Sequence, residues 1–405
     1  MVTNKEQNKL NVPHLRFPEF HGEWEKCKLG DIAILTKGSG ISKDQRSATG
    51  TPCILYGELY TTYKSEVIDY VVSKTDISDK NLVRSCANDI IIPSSGETAI
   101  DISTARCVLS PDVLLGGDLN IIRLKDGDGR FFSYQLNGVR KYDIAKIAQG
   151  VSVVHLYGES IKGLTVSFPS NKEQQKISTL LSLIDERIAT QSKLIEKLES
   201  LIKGIMVELQ KQGVNKGTWK KVFLSDVLTE RNERNTNLFQ VFSVSVSQGI
   251  VNQVDYLGRS FAAKDTSKYN VVHYGDLVYT KSPTGSFPYG IVKQSLSLEN
   301  VAVSPLYGVY KPQSLAVGAY LHEYFMSEIN THNYLHPLIQ KGAKNTINIT
   351  NQRFLENCVL LPTNINELLQ ISKLLRSLNN KIKYQQDILQ QYQKQKKYLL
   401  RQMFI

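Results

Sequence analysis

The sequence predicts an α+β protein made of two mixed globular domains, each followed by a long helix, the two helices pairing as an antiparallel coiled coil with pseudo-two-fold symmetry. Three observations predict it. At 405 residues the chain exceeds one ordinary hydrophobic core and suits two domains of average size. Its two tryptophans, Trp24 and Trp219, open matching segments, and two heptad-patterned stretches close the halves in the same register. The expected boundaries are 1–169 for the first domain, 170–213 for the first helix, 214–362 for the second domain and 363–405 for the second helix.

Each unit opens on its tryptophan. Trp24, Leu29, Asp31 and Ile32 match Trp219, Leu224, Asp226 and Val227 at an offset of roughly 195. Gly38-Ser39-Gly40 follows Thr36-Lys37 rather than a strand, so it reads as a turn and not as a cofactor loop. Tyr60 and Tyr63, flanking Thr61-Thr62 before Lys64, read as an amphipathic strand. Asn88-Asp89-Ile90-Ile91-Ile92 before Pro93-Ser94-Ser95 resembles Gly275-Asp276-Leu277-Val278-Tyr279 before Thr280-Lys281-Ser282. Both predict a turn feeding a buried strand that delivers a hydroxyl-rich loop. Gln149-Gly150 then matches Lys341-Gly342, and short apolar runs close on Pro169 and Pro362. The offset drifts only in loop-sized steps, as insertions confined to surface loops require.

After each proline comes capping-box spacing, Ser170 to Glu173 and Asn364 to Glu367, and then a helix. In the first, Ile177, Leu181, Ile184, Ile188, Gln191, Ile195, Leu198, Ile202, Ile205 and Leu209 alternate four and three apart. In the second, Ile371, Leu375, Leu378, Ile382, Gln385, Leu389, Tyr392, Lys396, Leu399 and Met403 repeat that register. A helix of ~35 residues extends ~50 Å, more than one domain core needs, so each seam wants a partner. An antiparallel pair would bring Gln191 and Gln385 together to fix the register; the alternative is that both glutamines are tolerated, solvated edge positions. Gly204 either permits close approach of another helix or is merely tolerated.

The formal net charge of +11 points to a polyanionic partner, most simply nucleic acid. Residues 1–170 carry 20 Lys+Arg against 20 Asp+Glu, whereas 363–405 carry 8 against 2, so a DNA-binding face on the first domain must come from local clustering. The polar start Thr3-Asn4-Lys5-Glu6-Gln7-Asn8-Lys9 and the lack of any run near ~20 apolar residues predict a cytoplasmic protein without a membrane span. Cys27, Cys53, Cys86, Cys107 and Cys358 are odd in number and widely spaced, which predicts buried thiols rather than disulfides or a zinc site.

Catalytic signatures fail one by one. No Gly-Lys dipeptide exists, so there is no Walker-type phosphate loop. No Asp-x-Lys or Glu-x-Lys occurs, which removes the metal-plus-lysine arrangement of common restriction nucleases, and no Pro-Pro pair occurs to build an adenine-cradling methyltransferase motif. Of seven histidines only His332 and His336 lie one helical turn apart, and no third ligand accompanies them, so no metal site is expected.

With the repeat, the paired helices and the missing catalysis together, the chain resembles the specificity subunit of a type I restriction-modification enzyme. The residues that carry the resemblance are Pro13-His14-Leu15-Arg16-Phe17-Pro18-Glu19-Phe20 leading into Trp24, and Gly150-Val151-Ser152-Val153-Val154-His155-Leu156-Tyr157 with its counterpart Gly342-Ala343-Lys344-Asn345-Thr346-Ile347-Asn348-Ile349. The resemblance implies a non-catalytic subunit whose two recognition domains read the halves of a split DNA target. It implies assembly with two methyltransferase subunits that bind S-adenosylmethionine and two restriction subunits that hydrolyse ATP with Mg, and no cofactor on this chain. Domains at the ends of a ~50 Å rod would address major-groove patches about one turn, ~34 Å, apart.

The candidate DNA-binding residues are polar loop positions at matched places: Lys37, Ser39, Lys43, Ser94, Ser95, Thr98 and Ser152 in the first domain, and Lys281, Ser282, Thr284, Lys341, Lys344 and Asn345 in the second. Lysines there suit phosphate or guanine, and Asn345 suits adenine. Each, taken singly, reads equally well as a solvated loop residue. Two rival readings stay open: an enzyme of unrecognised type, and a coiled-coil scaffold tethering two protein-binding domains.

Overall fold

The strands that organise the first domain are β1 (Glu25–Lys28), β2 (Ala33–Lys37), β3 (Asp89–Pro93), β4 (Arg106–Val108), β5 (Leu119–Leu124) and β6 (Thr165–Phe168). Residues 90–92 are an unbroken run of isoleucine, and all of β3 is buried, as such a run demands of a strand covered on both faces. It lies in a sheet of order β2–β5–β3–β4, extended by Val67–Ile68. Neighbours are antiparallel except Val67–Ile68 on β4. β1 and β6 form a separate antiparallel ribbon, Glu25 opposite Phe168. These details come from a computed structural model that describes residues 11–78, 81–341 and 347–405.

Helix α1 (Asn171–Asn215) runs 45 residues. The second domain repeats the plan with β7 (Trp219–Phe223), β8 (Leu228–Glu230), β9 (Leu277–Tyr279), β10 (Val292–Gln294), β11 (Gly308–Pro312) and β12 (Cys358–Pro362), followed by α2 (Ile365–Gln402) of 38 residues. Its sheet has the order β8–β11–β9–β10, strand for strand the order of the first. β7 and β12 make the matching ribbon, and Trp219 stands opposite Pro362. The tryptophan and proline that mark each repeat in the sequence thus sit at one end of the same two-stranded element.

A turn recurs as well. Asn88 (φ 77°) and Gly275 (φ 89°) adopt the left-handed backbone ahead of β3 and β9, a conformation that suits Asn and Gly. The next residue is a buried aspartate: Asp89 Oδ2 accepts the Cys86 N–H at 2.7 Å, and Asp276 Oδ2 accepts the His273 N–H at 2.8 Å. Each carboxylate also takes an arginine fork, from Arg123 at 2.8 and 2.7 Å and from Arg231 at 2.6 and 3.0 Å. Arg123 lies on β5 whereas Arg231 follows β8, so the two domains reach the same pairing from different members of the β2–β5 and β8–β11 pairs.

By contact, the chain divides into a unit of Met1–Ser192 with Asp387–Ile405 and a unit of Lys193–Gln386. Each unit combines its domain with one end of α1 and the opposite end of α2. In the first unit, Ile177, Leu181 and Ile184 of α1 and Leu399 of α2, followed by Met403 and Phe404, join Trp24, Phe131 and Phe132 in one core. Trp24 meets Phe131 and Phe404 edge-on at 5.6 and 6.5 Å. Arg140 donates to Ile405 O at 3.0 Å. Each fully buried side chain of this size contributes about 1.5–3 kcal/mol. Of the predicted seam, Ile177, Leu181, Ile184, Ile195, Leu198, Ile371, Leu375 and Ile382 are buried, while Ile188, Leu378 and Leu389 are half-buried.

Several sequence-based expectations change. The acidic residues of the expected capping boxes bind elsewhere: Glu173 accepts the Arg16 fork at 2.7 Å on each oxygen, and Glu367 accepts the Trp219 Nε1–H at 2.7 Å. Asn364 does cap α2, accepting the Asn366 N–H at 2.8 Å. Residues 58–61 form a helical turn, not a strand, because Glu58 folds back to accept the Leu55 N–H. A Cβ on Gly204 would meet no heavy atom within 4 Å, so that glycine is tolerated rather than a contact point. Cys53 and Cys107 are buried free thiols, but Cys86 is exposed and Cys27 and Cys358 are half-buried.

Candidate nucleic-acid interface

In the first unit β2 ends on exposed Lys37, and the chain then turns through Gly38, where a Cβ would collide with the Gly116 carbonyl. Ser39 is a clasp. Its Oγ accepts the Val83 N–H at 2.7 Å, and its own N–H donates to Leu115 O at 2.9 Å. Lys43 is exposed at the start of a short 3-10 turn, Lys43–Gln45, on the wall of a half-open cleft of about 930 Å³. Tyr56, Glu58, Tyr60, Thr62 and Gly116 to Asp118 also line it.

β3 delivers the second loop. Ser94 is buried, its N–H donating to Asp118 O at 2.8 Å and its carbonyl accepting from Leu156 at 2.9 Å. Ser95 is half-buried and pairs with His155 in a two-residue antiparallel ribbon. Thr98 caps the helical turn Ala99–Ile102: its Oγ1 accepts the Asp101 N–H at 3.1 Å and donates to Asp101 Oδ2 at 2.6 Å. Ser152 is exposed at the tip of a loop closed by two backbone bonds between Gln149 and His155, 2.9 and 2.7 Å long, with Gly150 at φ 117°. The ribbon brings the Ser95 and Ser152 loops to one edge. Ser39, Ser94 and Thr98 spend hydrogen bonds on the fold, leaving Lys37, Lys43 and Ser152 with exposed side chains.

In the second unit Lys281 follows β9 as Ser94 follows β3. It holds a left-handed backbone (φ 60°) without being glycine, and such strain collects at working positions. Burial pushes its ammonium below the ordinary lysine range, and Glu230 opposes that shift. Ser282 is exposed and its carbonyl accepts the Thr284 hydroxyl at 3.1 Å; Thr284 and Phe287 exchange two 3.0 Å backbone bonds. Lys341 ends the short strand Gln340–Lys341, paired with Ile347–Asn348. Lys344 and Asn345 lie outside the described residues.

Sequence reasoning missed Arg46 and Tyr56, which line the cleft beside Lys43, and singled out Tyr60 without placing it there. No periodicity marks them, because the walls come from a loop and a single helical turn. It also missed a buried polar cluster in the second unit. Lys293 on β10 is pushed down to about 8 by burial and donates to Val246 O at 2.6 Å. His322, pushed down to about 3 by burial, accepts the Gln294 N–H at 3.0 Å on Nδ1. With Lys293 3% exposed, this lysine is structural. His332 and His336 stack at 5.1 Å beside Tyr289, and among the described residues no group of His, Cys, Asp and Glu has metal-binding geometry. No described helix is long and apolar enough to cross a membrane.

Comparison with known proteins gives a consistent picture. Residues 21–200 match the family described as the type I restriction modification DNA specificity domain. The type I restriction enzyme MjaVIII specificity subunit of Methanocaldococcus jannaschii is 26% identical over 217 residues, 52% of this chain and 46% of that protein. The putative MjaX specificity subunit of the same organism is 27% identical over 223 residues, 52% of this chain and 50% of that protein. The chain therefore matches about half the length of these curated relatives. The S subunit of a type I restriction-modification system from M. genitalium shares the fold, with a TM-score of 0.64 at 14% identity over 97% of this chain and 99% of that one.

Proposed function

We propose that this chain, whose first unit carries the type I restriction modification DNA specificity domain, is the DNA sequence-specificity subunit of a type I restriction-modification complex. Each recognition domain, taken as 1–169 and 214–362, reads one half of a bipartite target. The long helices pair antiparallel, set the unread spacer and dock the methyltransferase subunits. The observation that carries this reading is the duplication, which repeats sheet order, aspartate turn and tryptophan ribbon while the loops beyond β3 and β9 differ. A conserved frame with divergent loops is what two readers of different sequences need. The combination of opposite ends of α1 and α2 in each unit supports the antiparallel pairing.

The subunit carries no catalysis of its own. Two methyltransferase subunits with S-adenosylmethionine and two restriction subunits with ATP and Mg supply the chemistry, in the cytoplasm, where the DNA is. The DNA-contact set is Lys37, Lys43 and Ser152 in the first domain and Lys281, Ser282, Lys341, Lys344 and Asn345 in the second, with Ser39, Ser94, Ser95, Thr98 and Thr284 shaping the loops that present them. Methylome sequencing of cells with and without the gene tests the reading. The expected result is loss of one split motif carrying N6-methyladenine in both halves; an unchanged methylome refutes it.

A further inference from the structure

In the first unit Arg16, Arg123 and Arg130 each spend Nε and Nη2 on one carboxylate, of Glu173, Asp89 and Asp128. Arg46 is held differently. Its Nε donates to the Lys43 carbonyl at 3.2 Å and its Nη1 lies 3.7 Å from Glu58 Oε1. Glu58 is itself buried and fixed, accepting the Leu55 N–H at 2.8 Å on Oε2 and the Ser73 hydroxyl on Oε1. The guanidinium is therefore braced on one side, and no described residue accepts from Nη2. The side chain is 39% exposed and lines the cleft with Tyr56, Tyr60 and Asp118.

The charges of this cleft balance, Lys43 and Arg46 against Glu58 and Asp118. A surface made for phosphates is cationic throughout, because its affinity comes from displacing counterions. A base edge presents donors and acceptors side by side and asks for both in return. The Nη1–Nη2 edge of an arginine offers two parallel donors, the complement of guanine O6 and N7. Bracing lowers the rotamer entropy lost on contact.

We propose that this cleft is the base-reading site of the first unit and that Arg46 specifies a guanine in the first half-site. The proposal rests on the specificity-subunit reading. It is tested with Arg46→Ala and Arg46→Lys in the full chain, assembled with its methyltransferase subunits, by methylome sequencing. Binding is then measured to duplexes carrying the recovered motif with each first-half base pair replaced in turn. Arg46→Ala is expected to accept other bases at one G·C pair, with discrimination there falling about 5- to 150-fold and the second half unaltered. Arg46→Lys, which keeps the charge but not the fork, does the same and carries the test if Arg46→Ala melts early. An intact motif with evenly weakened, less salt-dependent binding would make Arg46 a phosphate contact and overturn the proposal. So would variants that match the wild type. If the wild-type complex methylates no split motif, the specificity-subunit reading itself fails, and this proposal with it.

Discussion

Lys396, on the last helix, forms an ion pair of 2.5 Å with Asp185 on the first long helix, and the same ammonium donates a hydrogen bond to Glu66 of the first domain. Asp185 also accepts the Tyr134 hydroxyl at 2.8 Å and the Ser65 hydroxyl at 3.0 Å. A half-buried lysine in the heptad seam thus links both helix ends to the domain. Burial pushes the Glu66 carboxyl up, and Lys396 opposes that shift.

Removing the ammonium leaves two buried carboxylates without their cation. Lys396→Met is expected to destabilise the protein by about 3–5 kcal/mol at neutral pH. Because protonation of a buried carboxylate with a raised pKa relieves its cost, the deficit relative to wild type should shrink as pH falls toward 5. Urea midpoints at two pH values check it; a deficit that grows in acid refutes the assignment.

Lys293 gives the opposite sign of dependence. Its folded pKa of about 8 lies below the ordinary 10.5, so the unfolded chain binds more protons between those values. Stability should rise with pH through that window, and the buried charge costs about 3 kcal/mol below it. Lys293→Met should flatten the rise between pH 8 and 9.5 relative to wild type. An unchanged slope would place the titration elsewhere.

The two tryptophans should not tolerate the same change equally. Trp219 donates to the Glu367 carboxylate, whereas no described residue accepts the buried Trp24 Nε1–H. Trp219→Phe should therefore cost about 1–3 kcal/mol more than Trp24→Phe, read from chemical unfolding monitored by hydrogen exchange in each unit.

Ser39 and Lys43 separate shape from contact. Ser39→Ala orphans the Val83 N–H and should lower stability by about 1–3 kcal/mol. Lys43→Ala, on an exposed side chain, should leave melting within about 0.5 kcal/mol of wild type but weaken DNA binding and reduce its salt dependence.

Exchange of residues 216–362 for the matching segment of a homologue should alter one half of the methylated motif only. Alteration of both halves would refute one domain per half-site.

The duplication, the long helices and their seams were legible in the sequence because their signals are local or periodic. A heptad pattern needs only its own residues to declare a buried stripe, and Trp24 with Trp219, or Pro169 with Pro362, declare a repeat by offset alone. The buried strand after Asn88-Asp89 declared itself by its isoleucines. Tertiary structure alone decided where polar groups were spent. Glu173 left its cap for Arg16, 157 residues away, because a guanidinium fork offers a carboxylate two charged donors where a cap offers one neutral N–H. Glu58 made a helical turn where the sequence suggested a strand, and in doing so turned Arg46 toward a cleft whose walls, near residues 43, 58 and 117, meet only in the folded chain. Ser39 and Thr98, polar loop residues by sequence, became a clasp and a cap because the Val83 N–H and the Asp101 N–H in the first turn of a helix, left without backbone acceptors, were supplied by their side chains. Composition and period fix the frame, since burial follows chain-local pattern; the reading surface depends on long-range partners that no local pattern encodes.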